Sequence, residues 1–201
     1  MVRVPRLLFL PGTAGAGAFW RPVADRLPAG WKKTLLGWPG AGDEAHDRRV
    51  RGYGDLVELA ARALDDHTDV VAQSMGGAVA IGLALRHPAQ IRRLVLVATT
   101  GGLEMDRLEV ADWRPEYRTR YPRAAPWVWR ERPDYGDAIT TVTAPALLIW
   151  GDADPLSPVS VGRRLAELLP DCALHIVPGG THDVAREYPD RVAGLIAAHL
   201  A

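Results

Sequence analysis

Three residues far apart in the chain have types and surroundings suited to nucleophilic chemistry: Ser74, Asp154 and His182. Ser74 lies in Val70-Val71-Ala72-Gln73-Ser74-Met75-Gly76-Gly77, where an apolar run meets a serine and a helical run begins at once. So sharp a reversal needs small side chains two residues before and after the serine, and Ala72 and Gly76 fill those places. A serine there exposes its hydroxyl above a sheet and sits at a helix N-terminus, where developing negative charge is favoured. The competing reading is a serine that merely caps a helix. A serine hydroxyl attacks poorly until a base takes its proton and a carboxylate orients the base. Candidates for both follow in order. Gly151-Asp152-Ala153-Asp154-Pro155 comes after the run Ala146 to Trp150, and Pro178-Gly179-Gly180-Thr181-His182 after the next such run. Both turns fall at the C-terminal edge of strands, where open α/β sheets build their sites. His46, His67, His87, His175 and His199 have no such setting.

The elements that must hold these turns are legible from periodicity. Arg6 to Leu10, Thr34 to Leu36, Asp69 to Ala72, Leu94 to Ala98, Ala146 to Trp150 and Ala173 to Val177 read as short strands, apolar enough to be buried on both faces. Helical spacing occupies Phe19 to Leu27, Tyr53 to Asp66, Met75 to Arg86, Pro158 to Leu169 and Ala185 to Leu200. Strand and helix in alternation predict parallel pairing, right-handed crossovers and helices on both faces of one sheet of about six strands. From Gly101 to about Thr143 there is no convincing strand, and prolines 115, 122, 126 and 133 leave room only for short helices. That segment is expected to be a reduced lid inserted into a single domain spanning 1–201.

On Leu10-Pro11-Gly12-Thr13, Ala72-Gln73-Ser74-Met75-Gly76-Gly77, Gly151-Asp152-Ala153-Asp154 and Gly180-Thr181-His182, the chain resembles the α/β-hydrolase superfamily over essentially its whole length. It is most like the compact esterases and C–C hydrolases of that group. The serine turn matches the superfamily's nucleophile elbow, with alanine at the first small position where glycine is usual, and the order serine, acid, histidine is the superfamily's own. The resemblance selects Asp154, at the fourth position of its turn, as the acid. Asp152 is then expected to bind its own backbone. It also assigns the backbone N–H groups of Thr13 and Met75 as the oxyanion donors, although Pro11 stands where a histidine is usual. No antiparallel hairpin is expected before the first strand. The resemblance implies a serine hydrolase of small to medium carboxylic esters or thioesters, with no cofactor and no metal. A lyase or C–C hydrolase using the same triad is the first alternative, and a catalytically silent binding module the second.

Composition narrows the remaining choices. Across 201 residues, 24 basic and 24 acidic side chains cancel. A neutral chain lacks the basic stripe of a nucleic-acid binder and the charge of a membrane-surface binder. No run approaches a membrane span or a signal peptide, so a soluble cytoplasmic protein is expected. Cys172 is the single cysteine and permits no disulfide framework. Ala14-Gly15-Ala16-Gly17-Ala18 lacks the order of a dinucleotide loop. Asp43, Glu44, His46 and Asp47 are metal-capable but read as a solvated loop. Trp150 is expected in the core. Trp20, Trp38, Trp113, Trp127 and Trp129 fall near the presumed active edge, either walling an acyl pocket or packing a lid. Arginines 107, 114, 118, 120, 123, 130 and 132 alternate with Glu104, Asp106, Glu109, Asp112, Glu116 and Glu131, which favours surface pairing. A docking surface for an acidic carrier protein is the alternative.

Overall fold

The computed structural model describes residues 4–104 and 110–201. Its strands are β1 (Arg6–Leu10), β2 (Lys32–Leu35), β3 (Thr68–Gln73), β4 (Ile91–Val97), β5 (Ala146–Gly151) and β6 (Cys172–Val177). They form one sheet in the order β2-β1-β3-β4-β5-β6 with every pairing parallel. The helices are α1 (Arg21–Ala24), α2 (Tyr53–Ala61), α3 (Met75–Arg86), α4 (Arg114–Arg120), α5 (Trp127–Arg130), α6 (Val159–Leu168), α7 (Val184–Glu187) and α8 (Pro189–Leu200), with short 3-10 turns at Gly17–Trp20 and Gly136–Thr141.

Because successive strand side chains point to opposite faces, each central strand feeds two apolar layers. Leu8, Leu10, Val70, Ala72, Leu94 and Leu96 pack with Leu56, Val79, Leu83 and Leu165 on one side. Leu7, Phe9, Val71, Val95 and Val97 pack with Val23, Val192 and Ile196 on the other. The expectation of burial on both faces holds for the central strands but not for the two edges, where β2, and β6 as far as buried Val177, alternate between exposed and half-buried positions. An edge strand has one side free, which is why β2 begins two residues earlier than expected and carries Lys32 and Lys33.

Three expected helices change in extent. The run from Phe19 to Leu27 forms only the Gly17–Trp20 turn and the four residues of α1. The run from Ala185 to Leu200 is broken at Tyr188, because Pro189 disfavours helical backbone in the residue before it. The second helix stops at Ala61 instead of Asp66. Between β4 and β5 the described residues contain no strand, only α4, α5 and the Gly136–Thr141 turn. At the sheet edge remote from Ser74, buried Asp69 takes both Nε and Nη2 of Arg92 at 2.7 Å, and Arg92 also donates to Leu200 C=O. That ties the end of α8 beneath the sheet. Among the described residues no helix is long and apolar enough to cross a membrane.

Candidate active site

The turn from β3 into α3 places Ser74 where the sequence pattern requires it. Ser74 has φ 51° and ψ −122°, a left-handed backbone that costs a non-glycine residue on the order of 1–3 kcal/mol. Three bonds hold it there. Ser74 N–H donates to Val97 C=O at 3.1 Å, and Ser74 C=O accepts Gly77 N–H at 2.9 Å and the Thr99 hydroxyl at 2.5 Å. A Cβ on Gly76 would come within 2.6 Å of the Leu10 and Pro11 carbonyl oxygens, so the small residue after the serine is what lets α3 start against β1.

Asp154 and His182 converge on the serine from the ends of β5 and β6. His182 Nε2 is 2.9 Å from Ser74 Oγ, and His182 Nδ1 is 2.8 Å from Asp154 Oδ2. A carboxylate can only accept, so Asp154 fixes the proton on Nδ1 and leaves the Nε2 lone pair facing the serine hydroxyl. The Asp154 side chain is fully buried, and its other oxygen accepts Leu156 N–H at 2.8 Å and Ser157 N–H at 3.0 Å. The turn expected at Asp152 is therefore made by Asp154. Asp152 Oδ1 instead accepts Gly179 N–H at 2.6 Å, joining the turn after β5 to the turn after β6 through its exposed side chain. Glu187 on α7 binds both the N–H and the hydroxyl of Thr181, next to the histidine. Gln73 Nε2 donates to His182 C=O at 3.2 Å. Neither contact has a signal in the sequence beyond proximity to the motif.

The loop after β1 completes the group. A Cβ on Gly12 would lie 3.1 Å from Ser74 Cβ, so this backbone runs directly beside the serine. Met75, in the first turn of α3, has an N–H with no acceptor inside the helix, and Thr13 follows Gly12 on the neighbouring strand's loop.

The tryptophans do not wall one pocket. Trp20 and Trp38 are completely buried and present no surface to a ligand. Their indole N–H groups donate to Leu10 C=O at 2.9 Å and Pro11 C=O at 2.6 Å. Burial of the large apolar rings draws both inside, and the two carbonyls satisfy the N–H groups that go with them, an arrangement that loop position alone does not reveal. Trp113 stands edge-on to Tyr117, and buried Trp127 edge-on to Tyr53. Trp129, with Pro115, Arg118, Thr119, Tyr121 and Pro122, lines a surface hollow of about 410 Å³ that includes none of the three central residues. Trp150 is buried in β5.

Acid–base pairing accounts for only part of the arginine-rich segment. Arg114 pairs with Asp112 at 2.6 Å, whereas Arg118 and Arg120 lie over the rings of Trp129 and Tyr121. Asp106, Arg107 and Glu109 lie outside the described residues. In the acidic loop, His46 Nε2 donates to Arg123 C=O and Asp47 pairs with Arg49. Asp47 is held down at about 2 by its side-chain hydrogen bonds to Arg49.

Comparison with known proteins bears on the fold that holds these residues. A family model described as the alpha/beta hydrolase fold matches residues 5–126, which include the Gly12–Thr13 loop and Ser74. The chain belongs to the α/β-hydrolase fold family. The Neisseria meningitidis pimeloyl-[acyl-carrier protein] methyl ester esterase is 33% identical over 199 residues, covering 98% of this chain and 70% of that protein. A 2-hydroxy-6-oxononadienedioate/2-hydroxy-6-oxononatrienedioate hydrolase of Dechloromonas aromatica is 25% identical over 246 residues, covering 94% of this chain and 83% of that protein. Among solved structures, a thermophilic esterase from Thermogutta terrifontis superposes with a TM-score of 0.78 at 20% identity, over 98% of this chain and 89% of that one. A meta-cleavage product hydrolase from Pseudomonas fluorescens IP01 superposes with a TM-score of 0.74 at 20% identity, over 98% and 90%. At that identity the structural likeness speaks for the fold alone.

Proposed function

We propose that this α/β-hydrolase is a serine hydrolase of carboxylic esters or thioesters with small to medium acyl groups. The observation that carries the reading is the continuous bond chain Ser74 Oγ, His182 Nε2, His182 Nδ1, Asp154 Oδ2, at 2.9 and 2.8 Å. Ser74 Oγ attacks the substrate carbonyl as Nε2 takes its proton. The resulting imidazolium, held by Asp154, returns that proton to the departing alkoxide or thiolate. Water then repeats the two transfers on the acyl-serine and releases the acid. The N–H groups of Thr13 and Met75 take the carbonyl oxygen as it becomes negative, a contribution of about 2.7–4 kcal/mol per donor in comparable sites.

The higher identity to the Neisseria esterase, 33% against 25% for the Dechloromonas hydrolase, supports an ester over a C–C substrate. The alignment with the Dechloromonas hydrolase is longer than this entire chain, so that enzyme carries internal segments that this one lacks. The alignment with the Neisseria esterase runs over 98% of this chain with hardly a gap on its side and spans only 70% of that protein. The same triad could serve C–C hydrolysis, and several relatives are named as hydrolases of 2-hydroxy-6-oxononadienedioate, so the test includes that substrate. A fluorophosphonate should label the protein, and Ser74→Ala should abolish labelling. p-Nitrophenyl butyrate should turn over in preference to 2-hydroxy-6-oxononadienedioate. Equal labelling of Ser74→Ala removes the nucleophile assignment, and turnover of the dienedioate alone removes the ester reading.

A further inference from the structure

The carbonyls that leave β1 are held one after another. Leu10 C=O accepts Trp20 Nε1–H at 2.9 Å, and Pro11 C=O accepts Trp38 Nε1–H at 2.6 Å. Gly12 C=O accepts Gly15 N–H at 3.0 Å, and Thr13 C=O accepts the Tyr117 hydroxyl at 2.9 Å. Three of these four donors are aromatic side chains from separate places: the turn before α1, the loop after β2, and α4. The Tyr117 oxygen also accepts Gly42 N–H at 2.8 Å, so one phenol joins α4 to two loops. The rings have little freedom. Trp20 and Trp38 are completely buried, Tyr117 is 6% exposed, and Trp113 and Tyr121 pack against Tyr117 with ring centres 5.3 and 5.0 Å away. Burial also pushes the Tyr117 phenol above its ordinary range, further from ionisation.

The direction of the Thr13 N–H is set by three peptide planes. In the trans Gly12–Thr13 peptide, C=O and N–H point opposite ways, so tying Gly12 C=O to Gly15 turns the Thr13 N–H outward from that turn. The planes on either side carry the Pro11 and Thr13 carbonyls, and those are the two that Trp38 and Tyr117 pin. Pro11 has no N–H and no side-chain donor to brace the loop itself. We propose that Trp38 and Tyr117, with Trp20 behind them, are positioning residues that aim the Thr13 N–H at the developing oxyanion, with Tyr117 making the lid part of that device. The inference rests on the Proposed function reading of Thr13 as an oxyanion donor.

Tyr117→Phe deletes the hydroxyl and keeps the ring. In the full chain, its rate of fluorophosphonate labelling and its kcat on p-nitrophenyl butyrate should fall about tenfold. KM should stay within about twofold, because a misaimed donor is felt in the transition state more than in the ground state. The inhibition constant of phenylboronic acid, which becomes tetrahedral on serine, should weaken in parallel with kcat. Tyr121→Phe, which alters only the neighbouring ring, should match wild type. Trp38→Phe, which removes the donor to Pro11, should shift kcat and the boronate constant in the same direction and carries the test if Tyr117→Phe does not fold. Wild-type labelling at Ser74 with unchanged rates in both variants overturns the clamp and leaves the nucleophile standing. A loss of rate with unchanged boronate affinity and a lowered melting temperature overturns the positioning role in favour of simple stability. Absence of Ser74 labelling in wild type overturns the underlying reading, and the clamp with it.

Discussion

Two carboxylates share the turn after β5, and the structure gives them different partners. Asp154 is buried and bonded to His182, whereas Asp152 is exposed and bonded to Gly179 N–H. Asp154→Asn should lower kcat by roughly 10⁴-fold, the effect of neutralising the acid of a Ser-His-Asp set, because an amide donor facing Nδ1 favours the wrong tautomer. Asp152→Asn should be mild, since the remaining amide oxygen still accepts the Gly179 N–H, while Asp152→Ala should cost more. Steady-state kinetics on one p-nitrophenyl ester decides it, and reversed ranks would mean that the acid is Asp152. The convergence of Ser74, Asp154 and His182 was legible because each closes a strand with a turn whose small residues stand out. The supporting contacts were not. Nothing in the spacing of Trp20, Trp38 or Tyr117 announces that their polar atoms meet backbone carbonyls, and an indole near a loop reads equally well as a pocket wall.

At the scale of elements, strand existence followed from apolar runs, and the errors fell where tertiary position overrides composition. The edge strands β2 and β6 tolerate lysine, cysteine and histidine because only one of their faces is covered. Pro189 broke a helix that periodicity alone carries through. How β5 and β6 meet beyond their last bonds was also hidden. Asp152 N–H reaches Val177 C=O at 3.3 Å, and Ala153 N–H reaches Gly180 C=O at 3.0 Å, so the acid and histidine turns run on as one joined unit. Gly151 abuts the Gly180 backbone so closely that a Cβ there would overlap its carbonyl. Gly151→Ala must part the two turns. Overpacking of this kind costs about 1–3 kcal/mol. Urea unfolding should show a loss of that size, and kcat should fall more than the folded fraction does, because Asp154 and His182 ride on the separated turns. A variant with wild-type kcat and midpoint would show that the junction yields freely.

Over the whole molecule, burial pushes the phenols of Tyr53, Tyr117 and Tyr135 upward, Tyr53 furthest. In the unfolded chain a phenol ionises near 10. The folded form therefore holds these protons longer, and stability is full below about pH 10 and is lost as pH rises from there through the folded values. Absorbance at 295 nm should show phenols ionising later in the native protein than in urea, with the melting temperature falling over the same range. The same aromatic layer bears on substrate size. The described part of the segment between β4 and β5 is tied to three loops: Ala111 N–H to Pro155 C=O at 2.9 Å, Tyr117 to Thr13, and Ala125 N–H to Gly40 C=O at 2.7 Å. Trp20 and Trp38 are withdrawn into the core and line no tunnel for a long chain, and if the β4–β5 segment covers the site as the proposed function requires, its three ties keep it from swinging aside. Each methylene adds about 0.8 kcal/mol only while it still finds apolar surface to leave water for. Across p-nitrophenyl esters, kcat/KM should therefore rise from acetyl to about butyryl or hexanoyl and then level or fall. A steady climb to palmitoyl would mean that the tied segment opens after all, and the three ties would then have to be latches, not fixtures.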